Sequence, residues 1–374
     1  MTFIHENPDW PNFIWDDAIL SPKLAALRYA QGRIIGRMQA LGFAYRQEAG
    51  LVALTDEIVK SSAIEGEHLG AAEVRSSIAR RLGLEVGGLV PANRDVDGIV
   101  EMMIDATQNY MEPLTQERLF GWHAALFPTG RSGMRRITVG AWRTEAAGAM
   151  QVVSGPIGRE KVHFEAPTAN RLDGEMSRFL NWYNTPVEPA RIDPVLKAAI
   201  AHFWFVTIHP FEDGNGRIAR AIADMALARA DGAPERFYSM SAQIEVERNA
   251  YYNRLEAAQR REMDLTPWLE WFLDCLERAF DRAEMTLQSV LEKDQFWQGA
   301  NYHALNERQR HVLTRMLDNW QGYLNTSKYA KLAKCSNDTA LRDIRELLAA
   351  GLLIQNPGGG RSTSYRLAAV DEMD

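Results

Sequence analysis

His209-Pro210-Phe211-Glu212-Asp213-Gly214-Asn215-Gly216-Arg217-Ile218-Ala219-Arg220 decides how this chain is read. An apolar run (Val195, Leu196, Ala199, Ile200, Phe203, Val206) has helical spacing and delivers His209 at its end. Proline after His209 stops that helix. Gly214-Asn215-Gly216 makes a turn in which left-handed backbone is cheap, and a new helix starts at once. Backbone N–H groups at a helix start on a glycine-rich turn form an anion cradle. Arg217 and Arg220 stand at i and i+3 on that first turn, where two guanidinium groups oppose the helix dipole unless an anion sits among them. A polyphosphate would satisfy all these groups together. Asp213 beside it suits Mg²⁺, which takes few protein oxygens plus phosphate oxygens. His209 titrates near neutral pH and is the candidate base. A lone His-Pro or Gly-Asn-Gly is usually a capped corner, but a base, an acid, two glycines, an amide and two arginines together argue for chemistry.

Working outward, the chain reads as mostly helical. Helices are predicted over 21–44, 47–65, 71–82, 95–109, 115–127, 169–184, 194–208, 216–230, 248–259 and 265–291, with Ser21-Pro22 and Asp193-Pro194 as helix starts. Trp10, Phe13 and Trp15 are too aromatic for a free tail and are expected to pack on a helix. Residues 130–167 change character. Ile137-Thr138-Val139 and Met150-Gln151-Val152-Val153 are β-rich and separated by Gly148, which predicts a short β-hairpin on the helical body. His202, seven residues before His209, has no third ligand at suitable spacing and reads as a buried structural residue.

At 374 residues, two or three domains are expected. With 46% hydrophobic and 24% charged residues, bulk disorder is excluded. No apolar run is long enough to span a membrane, and residues 1–6 lack a secretory pattern. Cys275 and Cys335 are too few and too far apart for a disulfide framework or a zinc site, and point to the reducing cytoplasm. A net charge of −7 excludes a polycation but leaves room for a local basic patch.

The twelve residues resemble the signature of the Fic family, HPFx(D/E)GN(G/K)R with a second arginine three positions on, and every position matches. The resemblance covers residues 115–276. It implies an all-helical core whose members transfer AMP from ATP to a hydroxyl side chain of a target protein. By that resemblance His209 takes the proton of the target Tyr, Ser or Thr hydroxyl, which attacks the α-phosphate in line. Asp213 carries Mg²⁺. Gly214, Asn215 and Gly216 supply the anion hole, and Arg217 and Arg220 hold the β- and γ-phosphates. The hairpin around Met150, Gln151, Val152 and Val153 resembles the family's flap, to which a target segment adds as a strand. Tyr252 and Gln259, on one helix face at i and i+7, resemble the nucleoside pocket, where many relatives carry Asn in place of Gln259.

A second signal lies in Val59-Lys60-Ser61-Ser62-Ala63-Ile64-Glu65-Gly66. Ser61 and Glu65 are i and i+4, and Gly66 reads as a C′ glycine. A carboxylate in a last helical turn opposes the dipole and calls for a cation opposite it. The segment resembles the (S/T)xxxE(G/N) inhibitory motif of autoinhibited Fic proteins, N-terminal class, which implies that Glu65 pairs with Arg220 where the γ-phosphate belongs.

From Asn306 the order helix, helix, turn, helix, two short strands resembles a winged helix-turn-helix. Residues 306–367 hold ten basic against five acidic residues, in contrast to the acidic whole. Arg342, Arg345 and Arg361 are the candidate DNA contacts. The expectation is therefore a mainly α protein: an N-terminal helical domain over 1–94 with the inhibitory helix, a Fic core with a β-hairpin flap over 95–292, and a winged helix over 303–370, joined by a linker at 295–304. The leading function is an autoinhibited protein adenylyltransferase using ATP and Mg²⁺, with a hydroxyl-bearing protein target, no membrane, and N-terminal helices that offer a homodimer contact. The competing functions are a DNA-binding regulator whose Fic core senses nucleotide, and a Fic enzyme that uses another nucleotide or removes AMP.

Overall fold

The structure is a computed structural model that describes residues 3–40, 43–84, 90–154, 159, 161–186, 192–260, 262–300, 303–317, 322–357, 363–369 and 372. It is mainly helical, with fourteen α-helices and three two-stranded antiparallel sheets among the described residues. Two compact units divide between Glu284 and Met285. No helix among the described residues is long and apolar enough to cross a membrane.

In the first unit, α1 (Asp17–Ala40) begins four residues earlier than Ser21-Pro22 suggests. The Asp16 carboxylate accepts from Ala18 N at 2.8 Å and starts the helix, so Pro22 lies inside it. Helix α2 (Phe43–Ile64) ends in a Schellman turn: Gly66 N donates to Ala63 O and Glu67 N to Ser62 O, both at 3.0 Å, with Gly66 at φ 84°. Helices α3 (Ala71–Leu82), α4 (Arg94–Gln108) and α5 (Gln116–Leu126) follow. Thr115 caps α5 by accepting from Arg118 N at 3.2 Å.

Strands β1 (Arg131–Ser132) and β2 (Arg135–Arg136) form a minimal hairpin. The β-rich segment 137–139 is not a strand. The partner of β3 (Gln151–Ser154) is β4 (Lys161–Glu165), with Val152 opposite Phe164 and a register shift after Val152. In sequence Val162 and Phe164 alternate with Lys161, His163 and Glu165, a strand pattern that 137–139 is too short to offer, and the register shift leaves Phe164 buried and Val162 exposed.

Helix α6 (Leu172–Asn184) precedes the central pair α7 (Pro194–Ile208) and α8 (Asn215–Asp231). Every residue of α7 from Val195 to Ile208 is buried, which is why its apolar positions run all round and not along one face. The aromatic N-terminal segment does pack on this body. Phe13 stands edge-on to Phe203 and Trp204, and Trp10 Nε1 donates to Glu175 at 2.9 Å. A short helix absent from the sequence reading, α9 (Met240–Val246), is capped by Ser239 and precedes α10 (Arg248–Gln259). Helix α11 (Thr266–Ala300) runs through much of the stretch expected to be a linker. Phe296 and Ala300 give it an apolar edge that is buried in the second unit's core.

The second unit continues with α12 (Glu307–Leu317), α13 (Thr326–Ala333), α14 (Asn337–Ala349) and the antiparallel pair β5 (Leu353–Gln355) and β6 (Tyr365–Leu367). Asn325 and Ser336 cap α13 and α14. Val312, Leu313, Tyr329, Ala340, Ile344 and Leu347 form its core. Asp343 is buried there because Arg308 grips both its oxygens at 2.9 and 3.0 Å and Tyr329 donates at 3.2 Å.

Candidate active site

The site grows from the corner between α7 and α8. Asp193 caps α7 by accepting from Val195 N at 2.7 Å, and Pro194 occupies the first turn. At the other end His209 adopts left-handed backbone, φ 52° and ψ 57°, a costly conformation for a residue with a Cβ. Two features hold it there. Its N–H donates to Phe205 O at 3.0 Å. Its Nδ1 lies 3.1 Å from Val206 O. A carbonyl oxygen can only accept, so Nδ1 carries the proton and Nε2 keeps a lone pair. Burial, the largest influence, and Arg143 pull the imidazole below its ordinary 6.5. The Val206 bond, Glu65 and Asp213 act the other way and lose. The ring is therefore neutral at pH 7 with its basic nitrogen free.

Arg143 carries no signature in the sequence, yet it fixes this corner. It is 3% exposed. Its Nε donates to His209 O at 2.8 Å, its own N–H to Pro210 O at 2.9 Å, and its Nη2 to Pro167 O. Phe211 is fully buried and stacks on His123 with ring centres 4.2 Å apart. The Asn215 side chain mimics a strand partner, accepting from Phe211 N and donating to Phe211 O, both at 2.9 Å. Its amide thus shapes the loop. The start of α8 leaves backbone N–H donors without intrahelical partners. Gly214 has φ 79°, and a Cβ there would meet the Phe127 ring.

Asp213 accepts from Gly214 N at 2.6 Å with one oxygen and from the Ser132 hydroxyl with the other. Glu212 points away from it, held by Thr138 Oγ1 at 2.7 Å and Arg135 at 2.8 Å. Ser132 was not singled out in the sequence. It arrives from the β1–β2 hairpin, some eighty residues upstream.

The two arginines are both buried, and both meet acids from the turn after α2. Arg220, 2% exposed, donates from Nε to Ser61 Oγ at 2.8 Å, from Nη2 to Ser61 O at 2.8 Å, and from Nη2 to Glu65 Oε1 at 2.9 Å. Its Nη1 has no protein partner among the described residues. Arg217 pairs with Glu67 at 2.6 Å and lies over the Phe127 ring. Glu65 Oε1 sits so close to the start of α8 that a Cβ on Gly216 would overlap it. A carboxylate from the turn after α2 thus lies against the start of α8, and Gly216 is what lets it in.

The remaining sequence candidates fall as follows. Gly66 is the Schellman glycine that turns Glu65 toward Arg220. Tyr252 is half-buried, its hydroxyl donating to Ile64 O at 3.4 Å beside Arg248, which donates to the same oxygen at 2.8 Å. Gln259 is 4% exposed and donates to Thr207 Oγ1 at 3.3 Å, so its amide is engaged in the core. His202 is buried, with Nε2 2.9 Å from Tyr251 Oη. Val152 and Val153 are exposed on β3, and Met150 O accepts from Ala166 N at 2.9 Å. On β4, Arg260 donates to Val162 O and His163 O, and Glu256 lies 2.6 Å from His163 Nδ1. Those contacts cover the β4 side and leave the outer edge of β3 facing no strand among the described residues. Arg342 and Arg345 are exposed on α14, whereas Arg361 lies outside the described residues.

Two protein families match the chain. Residues 3–84 match a domain of unknown function (DUF4172), and residues 113–227 match the Fic/DOC family. The Glu65–Arg220 contact joins the two matched segments. Among curated proteins, Protein adenylyltransferase Fic of Culex quinquefasciatus is 28% identical over 67% of this chain and 46% of its own length. Its namesake in Drosophila yakuba is 37% identical over 28% of this chain and 20% of its own. The chain thus spans less than half the length of these relatives. Among solved structures, a Fic family protein from Desulfovibrio desulfuricans superimposes with a TM-score of 0.52 at 22% identity, covering 93% of this chain and 96% of that one. A Fic domain containing signaling protein from Bacteroides thetaiotaomicron gives 0.52 at 18%, covering 71% and 98%. At such identities the likeness is one of fold.

Proposed function

Since the chain carries a Fic/DOC domain at residues 113–227, we propose that it is an autoinhibited protein adenylyltransferase, moving AMP from ATP to a Tyr, Ser or Thr hydroxyl of a target protein. The single observation that carries the proposal is an acid in the phosphate cradle: Glu65 on Arg220 at the start of α8. A buried arginine pair at a helix N-terminus is built for an anion, and here an internal one holds the place.

In the active state the triphosphate takes the position of Glu65. Backbone N–H groups of residues 215–217 and the guanidinium groups of Arg217 and Arg220 bind its oxygens. His209 Nε2 accepts the proton of the target hydroxyl as that oxygen attacks the α-phosphorus, and the bond to the bridging oxygen breaks to release pyrophosphate. Asp213 with Ser132 offers the oxygen donors for Mg²⁺, and a single carboxylate fits an ion that draws most of its shell from water and phosphate. When bound, Mg²⁺ neutralises charge on the polyphosphate. Arg143, by holding the carbonyls of His209 and Pro210, keeps the base in its left-handed perch. Tyr252, beside the turn that carries Glu65, lines the nucleoside side. The free edge of β3 receives an extended target segment by main-chain hydrogen bonds.

The second unit is read as a winged helix whose α14 presents Arg342 and Arg345 to DNA, supported by their exposure and the local excess of basic residues. Unbridged Cys275 and Cys335 and a requirement for ATP fit the cytoplasm. Incubating wild-type and Glu65→Gly chain with α-labelled ATP, GTP, CTP or UTP and cell lysate tests the reading. Strong labelling from ATP by the variant alone supports it. Equal labelling by both removes the brake, and labelling from another nucleotide changes the substrate.

A further inference from the structure

A cavity lies apart from the start of α8, in the first unit. It has a volume of about 490 Å³ and is walled by α1, α2, the end of α8, segment 233–238 and Phe280 of α11. Most of its wall is apolar, with Leu51, Leu54, Phe237 and Phe280 contributing. Among the buried polar side chains that line it are Glu57 at 4%, Asp224 at 1% and Arg236 at 9% exposure. Each retains buried polar atoms with no protein partner among the described residues. Glu57 spends Oε2 on Ser239 and on Ser241 N and leaves Oε1 over. Asp224 and Arg236 pair with each other, yet Asp224 Oδ2 and Arg236 Nε and Nη2 stay unmatched. Buried polar atoms are rarely left so, and each one carries a desolvation cost that a ligand would remove.

The unmatched atoms specify the ligand. Arg236 offers two donors, so the ligand presents an acceptor. Glu57 and Asp224 offer lone pairs, so it also presents a donor. A carboxamide carries both side by side. The lining acids Glu57, Asp224, Asp231 and Glu235 outnumber Arg46 and Arg236, which disfavours a carboxylate. An apolar wall suits an aromatic or branched aliphatic body. We propose that this cavity binds a small uncharged carboxamide with an apolar body.

The cavity lies on the same helices as the phosphate cradle. Glu57, Ser61 and Glu65 follow at i, i+4 and i+8 along α2 and its C-terminal turn, and Asp224 stands one turn beyond Arg220 on α8. The cavity and the cradle are therefore two ends of one polar seam between α2 and α8. A ligand that completes the bonds of Glu57 and Asp224 fixes α2 against α8 and strengthens the hold of Glu65 on Arg220. This part rests on the adenylyltransferase reading above; the binding site itself does not.

Benzamide and its isostere benzoate are suitable probes, followed by ligand-observed NMR on the full chain. Benzamide is expected to bind with a Kd of about 1 mM, the range open to so few atoms. Benzoate should bind at least several-fold more weakly. Leu54→Trp, which fills the cavity, and Glu57→Gln, which alters one polar atom, should each weaken benzamide, while circular dichroism checks that both variants are folded. No benzamide signal, benzoate binding equal to benzamide, or equal binding by folded Leu54→Trp overturns the site. Saturating benzamide should weaken calorimetric ATP binding by wild type several-fold and leave that of Glu65→Gly unchanged. Unchanged wild-type ATP affinity overturns the coupling. If Glu65→Gly itself labels nothing, the adenylyltransferase reading has failed while the NMR result stands.

Discussion

Replacing Glu65 with glycine should make the chain less stable and a better nucleotide binder at once. The carboxylate lies 2.9 Å from Arg220 Nη2, and Arg220 is almost fully buried. Without Glu65, Arg220 keeps its two bonds to Ser61 but has no counter-charge, and its Nη1 already lacks a protein partner. Stranding a buried charged donor costs about 1–3 kcal/mol. Glu65 itself is 32% exposed, so solvent screening places the loss at the lower end, about 1–2 kcal/mol. A domain of this size loses about 2–4 °C of Tm per kcal/mol, so the apo variant should melt about 2–8 °C below wild type. The same energy is what a triphosphate no longer has to displace, which converts to about 5- to 30-fold tighter ATP binding. Glu65→Gln, which keeps an acceptor but no charge, should fall between. Calorimetric titration with ATP and Mg²⁺, run beside thermal melts of the apo chains, reads both numbers. A surface glutamate with no role would leave both unchanged, and that outcome would refute the reasoning, as would tighter binding with no loss of apo stability.

In the Glu65→Gly background, His209→Ala should abolish labelling from α-labelled ATP while the far-ultraviolet spectrum stays that of the parent; residual labelling above a few per cent removes His209 as the base. Burial holds the His209 imidazole below 6.5, so the labelling rate of Glu65→Gly should stay level from pH 8 to 6.5 and fall only below that, and a midpoint above 6.5 contradicts the assigned environment. His123 is pushed down to about 4 and His202 to about 3, chiefly by burial. The unfolded chain therefore takes up protons that the folded chain refuses, and stability should drop as pH falls from 6.5 toward 4, by about 1.4 kcal/mol per unit for each histidine, read from urea midpoints. Asn215→Ala orphans the buried N–H and C=O of Phe211 and should cost about 2–4 kcal/mol together with most labelling, whereas a stable, active variant would show that the loop does not depend on that amide.

The corner at residues 209–220 was legible in the sequence because its parts are local. A proline, two glycines and the spacing of two arginines dictate the turn within a dozen residues. The pairing of Glu65 with Arg220 came only through the family resemblance, since nothing in the order of residues brings position 65 to position 220. Arg143, Ser132 and Glu67 were missed for the same reason: each reaches the site from a distant loop or turn, and an arginine or serine in a loop carries no periodicity. The strand expected at 150–153 forms one residue later, at 151–154, but its expected partner does not, because β-rich composition at 137–139 outweighed the alternation over 161–165. Helix α11 outran its expected end because Phe296 and Ala300 are buried in a core that local polarity does not reveal. Helix α9 is only seven residues long, and its Ser239 cap was the one signal available.

The proposed reaction requires the start of α8 to hold the triphosphate of ATP. A crystal structure of Glu65→Gly grown with Mg²⁺ and a non-hydrolysable ATP analogue shows whether it does. The expected result is phosphate oxygens on the N–H groups of residues 215–217 and on Arg217 and Arg220, with the α-phosphate beside His209 Nε2. Density for the analogue elsewhere, with that helix start bare, would rule out this binding mode.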